Sequence, residues 1–169
     1  MPLFTQGVPE HDVAIVADES AVFAGFVPFH TWDARPVVGS AGLRPVTWSP
    51  AQEAWGGTQL QSRFERQARR HMRPEDYNVW LSLRSLGEAA TRTSATDLPS
   101  LRAYILGPEL QLAAFKGQAL NFRDWDHQLR QPILLASDNL VVSVSPQDGF
   151  LHQFTPLDTL GAEAWEDLV

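Results

Sequence analysis

The sequence predicts an α/β fold in which parallel β-α-β elements are followed by a helical middle and an antiparallel strand meander. Three features carry that expectation. Residues 12–17 (DVAIVA) and 35–39 (RPVVG) are short apolar runs around a brief helical stretch. Residues 57–106 repeat apolar side chains at helical spacing. Residues 115–149 hold three extended runs separated by polar turns.

The first run ends in Asp18-Glu19-Ser20, as a buried parallel strand ends in a polar loop at its carboxyl end. A short helix is expected over 21–30, stopped near Pro28, and the run at 35–39 supplies the second strand. In the middle, Leu60, Phe64 and Ala68 recur every four residues. Arg63, Arg66, Arg69 and Arg70 lie around them, which is the pattern of a surface helix with a solvated arginine face. Pro74 suits a first helical turn, Glu75 and Asp76 complement the positive helix start, and Val79, Leu83, Leu86 and Ala90 fall on one face. A third helix is expected over 98–106, begun by Asp97 and stopped by Gly107-Pro108. In the meander, Phe115, Leu120 and Phe122 mark the first strand, 124–128 a turn, 133–136 the second strand, 137–139 a turn and 140–144 the third. The stretch after Phe150 has little periodicity.

Composition excludes some functions. At 169 residues the chain can form one ordinary domain. Its net charge of -7, from 20 acidic and 13 basic residues, argues against a nucleic-acid partner, which needs a concentrated positive surface. Lys116 is the only lysine beside twelve arginines, a bias typical of a GC-rich genome. The lack of cysteine is compatible with an oxidising compartment and rules out a thiol nucleophile. No run approaches the ~20 apolar residues of a membrane span, so no membrane insertion is expected. The first eleven residues have neither the basic nor the apolar region of a secretion signal.

No catalytic motif emerges, and the chain is not expected to be an enzyme. Gly39-Ser40-Ala41-Gly42 has the wrong spacing for a nucleophile elbow, and no glycine-rich phosphate loop is present. The five histidines, His11, His30, His71, His127 and His152, are scattered without ligand spacing, so neither metal nor cofactor is expected. Asp124-Trp125-Asp126-His127-Gln128 begins like a calcium loop, but Leu129 and Leu135 stand where glycine and glutamate are required. A polar turn with aspartates bonding nearby amides is expected instead. Six tryptophans are many for this length. Trp32, Trp48 and Trp55 fall in or beside loops, where an indole can wall a small-molecule cleft, whereas Trp80 reads as core.

The strand order at 115–149, with its Gly-x-x-Leu-x-Phe strand and Trp/Asp-rich turn, resembles the end of type I periplasmic solute receptors of the branched-chain amino-acid type. The runs TWDARPVVGSAGLRPVTW (31–48), GTQLQSRFERQARR (57–70), RSLGEAATRT (84–93), LRQPILLASDNLVVSVSPQDGFLHQ (129–153) and LDTLG (157–161) look like one subgroup. That subgroup is the substrate-binding protein of the ABC-type system associated with PQQ-dependent alcohol dehydrogenases. The resemblance spans roughly residues 10–161 and corresponds to the C-terminal half of a complete receptor. It implies a partial type I periplasmic-binding-protein fold: 10–50 in the C-terminal lobe, helices 51–108 in the N-terminal lobe, the meander 109–150 returning to the first, and 151–169 as a tail. It further implies a periplasmic receptor, truncated here, that takes a small-molecule solute to an ABC permease. The alternative is a non-transport accessory or sensor module of the alcohol dehydrogenase system. A truncated receptor should bind small ligands poorly by itself and expose the apolar surface that further βα units would cover.

Ligands of open α/β sheets sit beyond the carboxyl ends of the strands. This places the candidate ligand-binding residues at Asp18, Glu19, Trp32, Asp33 and Ser40: three at strand ends, and an aromatic wall with a carboxylate between them. Asp18 could instead cap the following helix, and Trp32 could simply cover core. In the receptors this chain resembles, a Gly-Pro-Glu-Gly loop grips the ligand ammonium. The matching Gly39-Ser40-Ala41-Gly42 carries no charge, so an alcohol or acid suits the site at least as well as an amino acid.

Overall fold

The computed structural model describes residues 2–18, 23–137, 140–147 and 157–158. In chain order these form α1 (Pro2–Thr5), β1 (Ala14–Val16), a 3-10 turn at Ala24–Phe29, β2 (Val37–Gly39), β3 (Arg44–Val46) and a second 3-10 turn at Ala54–Gly56. Then come α2 (Gly57–Ala68), α3 (Pro74–Thr93), α4 (Leu98–Ile105), β4 (Leu112–Ala113), β5 (Ala119–Phe122), β6 (Leu129–Arg130), β7 (Ile133–Ser137) and β8 (Leu140–Ser145). The fold is mixed α/β: a parallel pair β1-β2 and two antiparallel sheets ordered β3-β7-β8 and β4-β5-β6.

The β-α-β start forms as expected in kind. β1 and β2 pair in parallel with Ile15 opposite Val38 and Val16 opposite Gly39. The helix between them is 3-10, with Pro28 inside it, because proline removes an amide that a longer α-helix would need. Gly39 closes the pair at φ +113; a Cβ there would stand 2.2 Å from the Val16 carbonyl oxygen.

The three helices follow the sequence signals closely. Pro74 occupies the first turn of α3, Asp76 accepts the Arg73 amide, and Asp97 caps α4 by accepting the Ser100 amide at 2.9 Å. The buried face of α3 is not the one the apolar spacing picked out. Val79, Leu83 and Leu86 are exposed, and Tyr77, Leu81, Ser85 and Ala89 are buried. Tyr77 decides this. Its ring stacks on Trp48 at 4.9 Å, and its hydroxyl donates to the Ala114 carbonyl at 2.8 Å, which turns the whole helix.

The expected meander divides in two. β5 and β6 form a hairpin in one sheet and β7 and β8 another in the second, broken at Gln131-Pro132. Pro132 has no amide to donate to a ladder, and its carbonyl is spent on the Lys116 ammonium at 3.1 Å. Phe115 lies outside the strands at φ 57, so the first strand starts later, at Ala119. Among the described residues, the meander does not join residues 12–39 as expected. β7 pairs instead with β3, with Val46 opposite Leu134. Pro45 keeps β3 an edge strand, and the chain leaves the parallel pair through residues 40–43 to reach it.

The core gathers Trp48, Leu60, Met72, Tyr77, Leu81, Leu110, Leu112, Ala114 and Leu120. It therefore runs from α2 and α3 into β4 and β5 without a break at residue 108. Each large side chain buried there contributes about 1.5–3 kcal/mol. The unit of residues 2–39 supplies none of these nine.

Candidate functional site

The strand-end residues come together only in part. Ser40 follows β2 directly, accepts the Asp18 amide on its hydroxyl oxygen at 2.7 Å and donates to the Val16 carbonyl at 3.1 Å. The Asp18 carboxylate accepts the amides of Phe23 and Ala24, both at 3.0 Å. Asp18 thus caps the 3-10 turn, and Ser40 ties the two strand ends; both side chains serve the backbone around them. Trp32 is exposed and donates its amide to the Thr5 hydroxyl at 2.7 Å, and Asp33 is exposed beside it. Glu19 lies outside the described residues.

A larger site lies elsewhere. A cleft of about 1150 Å³ opens between β3, the end of β7 and the start of α3. Arg44, Thr47, Trp48, Arg73, Asn78 and Ser137 line it. The amide end of α3 faces this cleft but is already engaged. Asp76 accepts the Arg73 amide and pairs with both terminal nitrogens of Arg70. The Arg70 hydrogen bonds hold the Asp76 carboxyl at about 2, well below the usual carboxylate value. Thr47 differs: its hydroxyl oxygen is buried and finds no hydrogen-bond partner among the described residues. Thr47 and Asn78 also line a smaller cavity of about 240 Å³, so the two stand where both spaces meet.

Beneath this wall lies Lys116. It is 1 % exposed, donates to the carbonyls of Thr47 and Pro132, and sits 5.1 Å from the Tyr77 ring centre. Burial pushes its ammonium down to about 7. From here four aromatic rings run in sequence through the core. Trp48 stacks on Tyr77, Tyr77 on Trp80 at 5.8 Å, and Trp80 tilts against Phe115 at 5.8 Å. The far end of this row opens on a second cleft, of about 710 Å³.

Among the described residues no three His, Asp or Glu side chains gather where they could hold a metal ion. No described helix is long and apolar enough to cross a membrane. Compared with known proteins, the chain matches no family model, no curated protein and no solved structure.

Sequence reasoning missed Thr47, Asn78 and Lys116. Thr47 and Asn78 have no signature, since a short polar residue beside a strand or on a helix is ordinary. Lys116 had one faint signal: a single lysine between Phe115 and Gly117, in a chain that otherwise uses arginine. Arginine's delocalised guanidinium keeps its charge when buried, whereas an amine on a thin stem can fit between two carbonyls and give the proton up.

Proposed function

We propose that the chain is the ligand-holding part of a solute receptor of the branched-chain amino-acid type, from the subgroup that accompanies PQQ-dependent alcohol oxidation. In this reading it works in the periplasm and presents a small polar solute to an ABC permease. The residue runs quoted above and the β-α-β start support it. The observation that carries it is the open cleft of about 1150 Å³, lined by Asn78, Ser137 and Thr47, whose buried hydroxyl has no partner among the described residues. A small solute held in an open cleft by a few polar groups is the ordinary chemistry of a receptor, and a second surface closing over it would complete the burial. Arg44, Arg73 and Glu75 all line this cleft, so its wall offers both signs of charge to a polar solute.

Thermal unfolding of the chain with alcohols, aldehydes, carboxylates and amino acids tests the proposal. A ligand at about fifty times its dissociation constant stabilises by about 2.3 kcal/mol, which moves the midpoint by several degrees. Thr47→Val separates ligand binding from folding. It removes a buried hydroxyl that has no partner, so stability should hold or rise while the ligand-induced shift shrinks. Asn78→Ala should likewise reduce the shift. Because a truncated receptor should bind weakly, each compound is carried to its solubility limit; if none then moves the midpoint, the receptor reading gives way to an accessory role, and an undiminished shift in both variants moves the site away from this cleft.

A further inference from the structure

The cleft at the far end of the aromatic row is built differently from the first. Two tight turns, one entering α2 and one between β4 and β5, lock into each other. Trp55 and Phe115 both hold left-handed backbone, at φ 53 and φ 57. Bulky side chains rarely accept that region, at a cost of order 1 kcal/mol or more each. Each turn also carries a glycine in the same region, Gly56 at φ 81 and Gly117 at φ 79. The Trp55 indole lies on Gly117, where a Cβ would come within 2.4 Å of it, and the Phe115 ring lies against Gly56 at 3.2 Å on the same measure. The strain holds two aromatic rings in fixed positions. Core burial does not account for both, because Trp55 remains 49 % exposed.

Those rings, with Phe64 and Trp80, wall the cleft of about 710 Å³ between α2 and α3. Its charged lining residues are Arg63 and Arg84; among the described residues no carboxylate lines it. Arg84 reaches Glu88 across one helical turn at 3.4 Å, and Arg63 has no ion pair among the described residues. An aromatic box alone could hold a quaternary ammonium through the ring faces. Two guanidiniums at the mouth repel a cation and fork onto a carboxylate.

We propose that the cleft walled by Trp55, Phe64, Trp80 and Phe115 is a binding site for a small planar aromatic carboxylate, its ring between the indoles and its carboxylate on Arg63 and Arg84. The volume is ample for a one- or two-ring acid and falls within the range of about 300–1,000 Å³ usual for small-molecule pockets. The site stands apart from the first cleft and does not depend on the receptor reading; Thr47→Val and Asn78→Ala should leave it unaffected.

Isothermal titration of the full chain with 2-naphthoate is the test, beside 2-naphthamide, cyclohexanecarboxylate and 2-naphthyltrimethylammonium. Naphthoate should bind saturably. The uncharged amide, the non-aromatic acid and the cation should each bind at least about tenfold more weakly, the scale of one charge-assisted contact or one stacked ring. Arg63→Gln with Arg84→Gln should weaken naphthoate by about tenfold or more and leave the amide unchanged. Trp55→Gly accepts the left-handed backbone without strain and should weaken both naphthoate and naphthamide. Both arginines are exposed on helix surfaces, so the double variant should keep the wild-type circular dichroism and remain informative if Trp55→Gly misfolds. Absence of saturable binding up to the solubility limit overturns the proposal. Equal binding of acid and amide, preference for the cation, or wild-type affinity in the arginine double variant also overturns it.

Discussion

Lys116 shows how one side chain can be an ordinary surface residue by type and a core residue by position. Its ammonium ties the chain before α2 to the break between the two hairpins, through the carbonyls of Thr47 and Pro132. Burial lowers it from 10.5 to about 7, so between these values the unfolded chain keeps a proton that the folded chain has lost. Raising the pH through that window therefore favours folding, by at most about 1.4 kcal/mol per pH unit. Above pH 10 the trend reverses. Burial pushes the Tyr77 phenol upward, and the unfolded chain then ionises first. Denaturant titrations at successive pH values should show wild-type stability climbing from about pH 7 towards 10, and Lys116→Met should flatten that climb. Parallel curves for the two proteins would remove Lys116 as the cause.

At the level of elements, the β5–β6 hairpin depends on a residue far along the chain. Arg123, 1 % exposed, donates through Nε to the Asp158 carboxylate at 3.0 Å, and Arg130 donates to the same oxygen at 2.7 Å. Burial works against the Asp158 charge, but the Arg130 and Arg123 guanidiniums outweigh it and hold the carboxyl below its usual value. Both guanidiniums also lie 5.2 Å from the Trp125 ring centre in the hairpin turn. In the turn itself Asp126 accepts the Gln128 amide at 2.8 Å, the polar-turn arrangement read from the sequence. Asp158→Ala removes the carboxylate that Arg123 and Arg130 share, and should lower unfolding free energy by about 3 kcal/mol, the lower end for a broken buried pair. An unchanged urea midpoint would mean that the shared carboxylate contributes nothing net to stability. The stretch around Asp158 looked featureless because its contribution is one carboxylate delivered across 35 positions, and periodicity carries no such information.

Across the whole molecule, stability should be uneven. All nine core residues fall between Trp48 and Leu120, whereas the unit of residues 2–39 has a two-stranded sheet and exposes Leu3, Phe4, Ile15, Phe26, Phe29 and Trp32. A two-stranded pair with an uncovered apolar face has little to oppose local opening. Native-state hydrogen exchange should find the Ala14 and Ser40 amides, bonded to Pro36 and Val16, exchanging at least about tenfold faster than those of Leu81 and Leu120. Equal protection would mean that the unit opens only when the whole chain unfolds. The sequence by itself determined what depends on neighbours: the helix starts at Pro74 and Asp97, the parallel character of the first two strands, the polar turn at 124–128 and the solvated arginines of α2. Backbone stereochemistry, caps and local hydrogen bonds act over a few residues, so their signals are written locally. Only the tertiary structure decided which face of α3 is buried, that β7 pairs with β3, that Asp18 and Ser40 serve their own strand ends, and that clefts form beside Thr47 and Trp55. Each of these follows from packing between distant segments, where two arrangements satisfy the same local pattern and the fit of large rings and a buried amine selects one.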